Sequence, residues 1–219
     1  MDFATARRNM IESQVRTYEV LDDRVLQALD RVPRHEFVPQ DSIEWAYIDY
    51  QVPLGIGEYM LSPTVEARLI QELRLEPGDK VLEVGTGTGY VTALLAELAG
   101  EVWSVEITPG FKVEAEQRLQ RMGYDNVRVE VGDGSQGWER QAPYDAILVT
   151  GAMPELPEAF KEQLTDGGRL VCILDDQPPV QEATRVTRVG EDAFREDSLF
   201  EVEGIPHLRG VAKKKEFVF

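Results

Sequence analysis

Between residues 81 and 90 the chain reads VLEVGTGTGY: an apolar run, three glycines at alternate positions, then a helix-like pattern. Gly85, Gly87 and Gly89 leave the backbone bare where a strand stops and a helix begins. Missing β-carbons let a ligand approach the main chain, and unpaired N–H groups at a helix start supply donors. Around this turn the rhythm is short strand, turn, helix, repeated. KVLEV, EVWSVE, NVRVEV, YDAILVT and GRLVCIL are the predicted strands; GYVTALLAEL, FKVEAEQRLQRM and PEAFKEQL are the predicted helices among them. Such alternation predicts an α/β sandwich around a mostly parallel sheet.

The flanks differ from this core. Residues 4–31 carry two helical patterns, and Pro33 ends the second. The segment YIDYQVPLGIGEYMLSP is too apolar for a linker and is predicted to be an ordered loop lying over something. Ser62-Pro63 has the form of an N-cap followed by a first-turn proline, opening the helix TVEARLIQELRL. Near the C-terminus, ATRVTRVG and AFREDSLFEVEGI alternate polar and apolar residues around Gly190-Glu191-Asp192, which predicts an antiparallel hairpin on the sheet edge. The expected organisation is one domain over 1–219. Residues 1–76 supply helices and a covering loop, 77–175 a nucleotide-binding core, and 176–219 the hairpin and tail.

Charge and composition narrow the function. The formal net charge of −17 over 219 residues opposes general affinity for nucleic acid or an anionic membrane. No apolar run approaches the ~20 residues needed to cross a bilayer, and MDFATARRN has no apolar stretch behind its charges, so a cytoplasmic protein is expected. The single cysteine, Cys172 in LVCIL, reads as a small buried hydrophobe. Lys213-Lys214-Lys215 reads as a solvated tail. His35 and His207 have no ligand-type neighbours at metal spacing, so no metal site is expected and both read as surface or structural residues.

The chemistry centres on the glycine turn. Its G-T-G-T-G spacing departs from the G-x-G-x-x-G of dinucleotide enzymes. Glu106, at the end of the second core strand, stands where a carboxylate can accept both ribose hydroxyls. Asp133, within Gly132-Asp133-Gly134 at the end of the third strand, can accept from the exocyclic amine of an adenine. The candidate cofactor-binding set is therefore Gly85, Thr86, Gly87, Thr88, Gly89, Tyr90, Glu106, Ile107, Asp133 and Gly134, with Glu58 a candidate partner for an ammonium group. This set fits NAD or S-adenosylmethionine.

Longer motifs discriminate between them. With VPRHEFVP, PLGIG, VLEVGTGTGYVTALLA, NVRVEVGDGSQGW, APYDAILVTGA, QLTDGGRLV and GIPHLRG, the chain resembles class I S-adenosylmethionine-dependent methyltransferases. Within them it is similar to the protein-L-isoaspartate O-methyltransferase family. The resemblance implies a Rossmann-like three-layer sandwich and a cytosolic enzyme that methylates isoaspartyl side carboxylates to start succinimide-mediated repair. In that family a Q-T-I-S signature follows the PIG-x-G loop. Matching Pro53, Gly55, Gly57 and Pro63 without gaps puts Glu58, Tyr59, Met60 and Leu61 at those positions, so Tyr59 replaces the threonine and Leu61 the serine. Tyr59 and Ser62 are the candidate catalytic residues, with Tyr47 and Asp49 also near the acceptor. Three readings stay open: an isoaspartyl methyltransferase, a methyltransferase for another carboxylate on a polypeptide or small molecule, and a non-catalytic cofactor-binding protein. A monomer or small homo-oligomer is expected.

Overall fold

The computed structural model describes residues 2–177 and 180–211; Lys213–Lys215 lie outside them. Helix α1 (Phe3–Met10) is capped by Asp2, whose carboxylate accepts from the Ala4 and Thr5 N–H groups. It widens into a π-type turn over Ile11–Val15 before α2 (Asp23–Arg31). The segment predicted as a covering loop contains a small antiparallel hairpin, β1 (Val52–Gly55) and β2 (Glu58–Met60). Gly55, Ile56 and Gly57 at its tip all have positive φ, and the Pro and Gly content of the segment is what makes it read as a loop from sequence. Helix α3 (Pro63–Leu73) follows.

The core then alternates as expected: β3 (Lys80–Val84), α4 (Tyr90–Leu98), β4 (Glu101–Glu106), α5 (Pro109–Arg121), β5 (Val127–Val131), β6 (Tyr144–Met153), α6 (Glu158–Glu162) and β7 (Leu164–Gln177). The last two strands, β8 (Val180–Gly190) and β9 (Ala193–Val202), form the antiparallel edge hairpin. The seven-stranded sheet runs β5-β4-β3-β6-β7-β8-β9. Strands β3 to β7 are mutually parallel.

Both faces of the central strands are buried, so they read as apolar runs. Val81, Ala146, Leu148, Val171 and Ile173 pack under α2, α3 and α4. Their neighbours Leu82, Ile147, Val149, Leu170 and Cys172 pack on the other face with Phe160 of α6 and with Trp138. The result is a Rossmann-like sandwich whose second helical layer is thin. Strand order reverses at β3, where β4 leaves to one side and β6 to the other, so the crevice of an open α/β sheet falls at the carboxyl end of β3. Among the described residues, no helix is long and apolar enough to cross a membrane.

Candidate active site

The crevice at this end of the sheet spans about 670 Å³ of empty space, part of it open to solvent. Its floor is the glycine turn. Gly85 has φ +99° and its N–H donates to Val105 O at 2.9 Å. A β-carbon there would overlap Thr150 Oγ1, which itself donates to the Val84 and Gly85 carbonyls at 3.0 and 2.8 Å. A β-carbon on Gly87 would enter the gap between the turn and the Leu54 side chain, 3.6 Å from Leu54 Cδ1. Gly89 serves packing instead: it opens α4, and a β-carbon there would stand 3.2 Å from Ala115 Cβ of α5.

Glu106 closes the turn at the end of β4. Its two carboxylate oxygens accept from Gly87 N–H at 2.9 Å and Thr108 N–H at 2.8 Å. Those bonds fix the carboxylate's plane and leave each oxygen a further lone pair for a ligand hydroxyl. Beside it, Ile107, Phe111, Val84, Val105 and the bare backbone of Gly132 and Gly134 line an apolar slot. Asp133 does not line it. The side chain is exposed on the rim, accepts from Ser135 N–H at 2.9 Å and lies against Gly210.

A smaller extension of the crevice runs under the turn, lined by Glu66, Thr86, Thr88 and Tyr90. Thr86 Oγ1 is 2.5 Å from Ser104 Oγ, which donates to the buried Glu83 at 2.6 Å. The Tyr90 hydroxyl is buried without a hydrogen-bond partner, and Arg34 lies over its ring at 4.8 Å. Burial pushes the Tyr90 phenol far above its usual range. An orphaned hydroxyl and a carboxyl facing one apolar-walled extension suit the amino-acid end of a nucleoside cofactor.

Several acceptor-side expectations need correcting. Tyr47 is packed in the core, with its hydroxyl 2.7 Å from His35 Nδ1, and lines neither the crevice nor the depression beside Tyr59. Ser62 occupies the N-cap position of α3 but makes no capping bond; its Oγ is 3.3 Å from Thr64 Oγ1. Asp49 supplies the cap from outside the helix, accepting from Thr64 N–H at 3.2 Å and Thr64 Oγ1 at 2.7 Å. Ser62 faces a separate surface depression shared with Asp49, Tyr50 and Glu203, while the buried Leu61 lines the cofactor crevice. Half-exposed Tyr59 is the divider, lining both spaces. Glu58 lines the crevice, but Arg209 takes its carboxylate at 2.5 Å.

The residues that sequence reasoning missed lie in GIPHLRG. Ala152 N–H donates to Pro206 O and Leu208 N–H to Ala152 O, both at 2.9 Å, so residues 206–208 extend the sheet beyond β3 and wall the crevice. Gly151 makes this approach feasible, since a β-carbon there would stand 2.9 Å from the Leu208 backbone. His207 thereby lines the crevice, with Nε2 2.6 Å from Asp175 Oδ2. The motif itself was the available signal, but neither histidine has a local partner to mark it. Among the described residues no group of three or more His, Cys, Asp or Glu side chains could hold a metal.

An open sheet reversing at β3, a bare glycine turn and an acid at the next strand end make a nucleoside-binding site, and with the antiparallel β8–β9 edge they fit a class I S-adenosylmethionine-dependent methyltransferase. Comparison with known proteins narrows this. The profile of the family described as Protein-L-isoaspartate(D-aspartate) O-methyltransferase (PCMT) matches residues 5–211. The chain is 50% identical over 151 residues to protein-L-isoaspartate O-methyltransferase 2 of Polaromonas sp. strain JS666, covering 69% of this chain and 72% of that one. It is 41% identical over 206 residues to protein-L-isoaspartate O-methyltransferase 2 of Anaeromyxobacter sp. strain Fw109-5, covering 94% and 84%. A solved protein-L-isoaspartate O-methyltransferase superimposes with TM-score 0.79 at 28% identity, covering 91% of this chain and 65% of that longer one. A Plasmodium falciparum structure, described as a putative protein-L-isoaspartate O-methyltransferase in complex with S-adenosyl-L-homocysteine, shares the fold with TM-score 0.79 at 21% identity, covering 95% and 99%. The chain belongs to the protein-L-isoaspartate O-methyltransferase family, enzymes that use S-adenosylmethionine as methyl donor.

Proposed function

We propose that this enzyme esterifies the side carboxylate of isoaspartyl residues in damaged polypeptides, in the cytoplasm. Support comes from the family match over 5–211 and from the crevice, where Tyr59 separates the cofactor space from a surface depression open to a polypeptide. The observation that carries the cofactor reading is Glu106, pinned by two backbone N–H groups beside the bare Gly85–Gly87 edge. In this reading Glu106 accepts the ribose hydroxyls and the slot at Ile107, Phe111, Gly132 and Gly134 takes the adenine. Thr86, Thr88 and Tyr90 border the amino-acid end, Gly89 holds α4 against α5, and Asp133 guards the rim. Glu58 acts through Arg209 rather than on an ammonium group.

The cofactor supplies an electrophilic methyl group on a sulfonium. A carboxylate acceptor is already ionised at neutral pH, so the chain need supply no base. It must hold the oxygen in line and strip water from it. Leu61 and Leu54 provide the dry wall, Tyr59 stands at the entrance with its hydroxyl, and Ser62 faces the depression on the polypeptide side. The test is methyl incorporation into an isoaspartyl peptide and its aspartyl isomer. Turnover of the first alone is expected; equal or absent turnover of both would refute the assignment.

A further inference from the structure

The polar side chains lining the crevice are mostly committed elsewhere. Glu106 holds the turn, Thr150 donates to the strand-end carbonyls, and Glu58 and Arg209 neutralise each other while Arg209 Nη2 also donates to Ile56 O at 2.8 Å. Leu61 presents hydrocarbon to the crevice. His207 remains. The chain segment carrying it is fixed to β6 by two backbone bonds, and its ring is half exposed to the crevice it lines.

Asp175, near the end of β7, orients that ring. Its side chain is only 14% exposed, Oδ2 takes His207 Nε2, and Oδ1 is buried without a partner. A carboxylate so placed selects the tautomer with the proton on Nε2 and leaves Nδ1 as the free ring nitrogen. An acceptor carboxylate entering the crevice would put a second anion beside the same imidazole. A carboxylate at Nδ1 is bound where that nitrogen carries a proton, through a charge-assisted Nδ1–H hydrogen bond.

We propose that His207, held by Asp175, binds the acceptor carboxylate through Nδ1 and orients its oxygen toward the methyl donor. The inference rests on the carboxylate-acceptor reading above. No proton is transferred in the step: the carboxylate oxygen forms the O–CH3 bond as the S–CH3 bond breaks, and the sulfur retains that electron pair.

His207→Gln should raise the KM for an isoaspartyl peptide roughly tenfold, the usual range for losing a charge-assisted bond, with S-adenosylhomocysteine affinity held within about twofold. Asp175→Asn, which keeps His207 but loosens its orientation, should give a smaller rise in the same constant. An unchanged KM in His207→Gln, or a parallel loss of cofactor affinity, overturns the proposal. The chain has two histidines, so ring 15N spectra of the S-adenosylhomocysteine complex provide a second readout. Peptide binding should shift the His207 signals and leave those of His35 in place. Binding or turnover with His207 unmoved overturns this inference alone, whereas a wild-type enzyme that neither binds nor methylates the peptide overturns the functional reading and this inference with it.

Discussion

Glu83 lies wholly buried in β3 beneath the glycine turn, where Oε2 accepts from Thr92 Oγ1 at 2.5 Å and from Ser104 Oγ at 2.6 Å. Burial pushes its carboxyl from 4.5 up to about 8, against those two hydrogen bonds, which favour the ionised form. The folded value exceeds the unfolded one, so the group's contribution to stability is fully present below about 4.5 and is lost as pH rises toward 8. Glu83→Gln keeps both hydrogen bonds and removes the titration. The variant should match wild type near pH 4.5 and exceed its Tm by a few degrees at pH 8. A difference in Tm that does not vary with pH would show that Glu83 is not protonated by burial. Burial pushes the neighbouring Glu66 up to about 8 as well, but Arg34, equally buried, contacts it directly, and that guanidinium, which Glu83 lacks, holds the pair in its ionised form. Arg34 Nη2 also donates to Leu61 O at 2.6 Å, so this pair pins the loop beside the crevice. Glu66→Gln leaves a buried cation without its anion and should cost about 3–5 kcal/mol in denaturant unfolding. Arg34→Met combined with Glu66→Leu should recover much of that loss; additive damage would contradict a mutually dependent pair.

At the scale of elements, the β1–β2 hairpin and residues 206–210 close the crevice from opposite sides and meet through Arg209, which bonds Glu58 and the Ile56 carbonyl. The pair is partly exposed, so its removal should barely move global stability. Its effect should fall on the closure: Arg209→Ala is expected to weaken S-adenosylhomocysteine binding by up to roughly fivefold, with Tm within ~2 °C of wild type. Unchanged affinity by calorimetry would show that the two flaps close independently. These same flaps mark where sequence reasoning stops. The alternation from β3 to β7 is legible because parallel strands buried on both faces become local apolar runs, and the glycine turn is legible because its strain sits in adjacent residues. Helix α3 is capped by Asp49, and His207 is oriented by Asp175 from another strand. Nothing in local spacing links either pair. Ser62-Pro63 therefore looks like a complete capping signal, although the bond comes from elsewhere. The hairpin is hidden for another reason: Gly55 and Gly57, which take its tip through positive φ, equally signal a plain loop, and Ile56 between them gives no turn signal at all.

For the whole molecule, the dominant long-range property is a formal net charge of −17. The surface depression on the far side of Tyr59 adds Asp49 and Glu203 to that background. An approaching polypeptide meets this field before it meets any specific contact, and the acceptor carboxylate itself is repelled by it. Flanking charge on the peptide should therefore govern encounter more than the chemical step. Isoaspartyl peptides flanked by lysine should show kcat/KM roughly three- to tenfold above glutamate-flanked counterparts at low ionic strength, with kcat little changed. Because the interaction is between exposed charges, salt near 1 M, where the screening length falls to about 3 Å, should bring the two series within roughly twofold. A preference that survives high salt would place it in a short-range contact, for instance at Glu203 or Asp49, and single substitutions there would then separate the series. A preference for acidic flanks at low salt would mean that the acceptor reaches the crevice across a surface other than the Asp49–Glu203 depression.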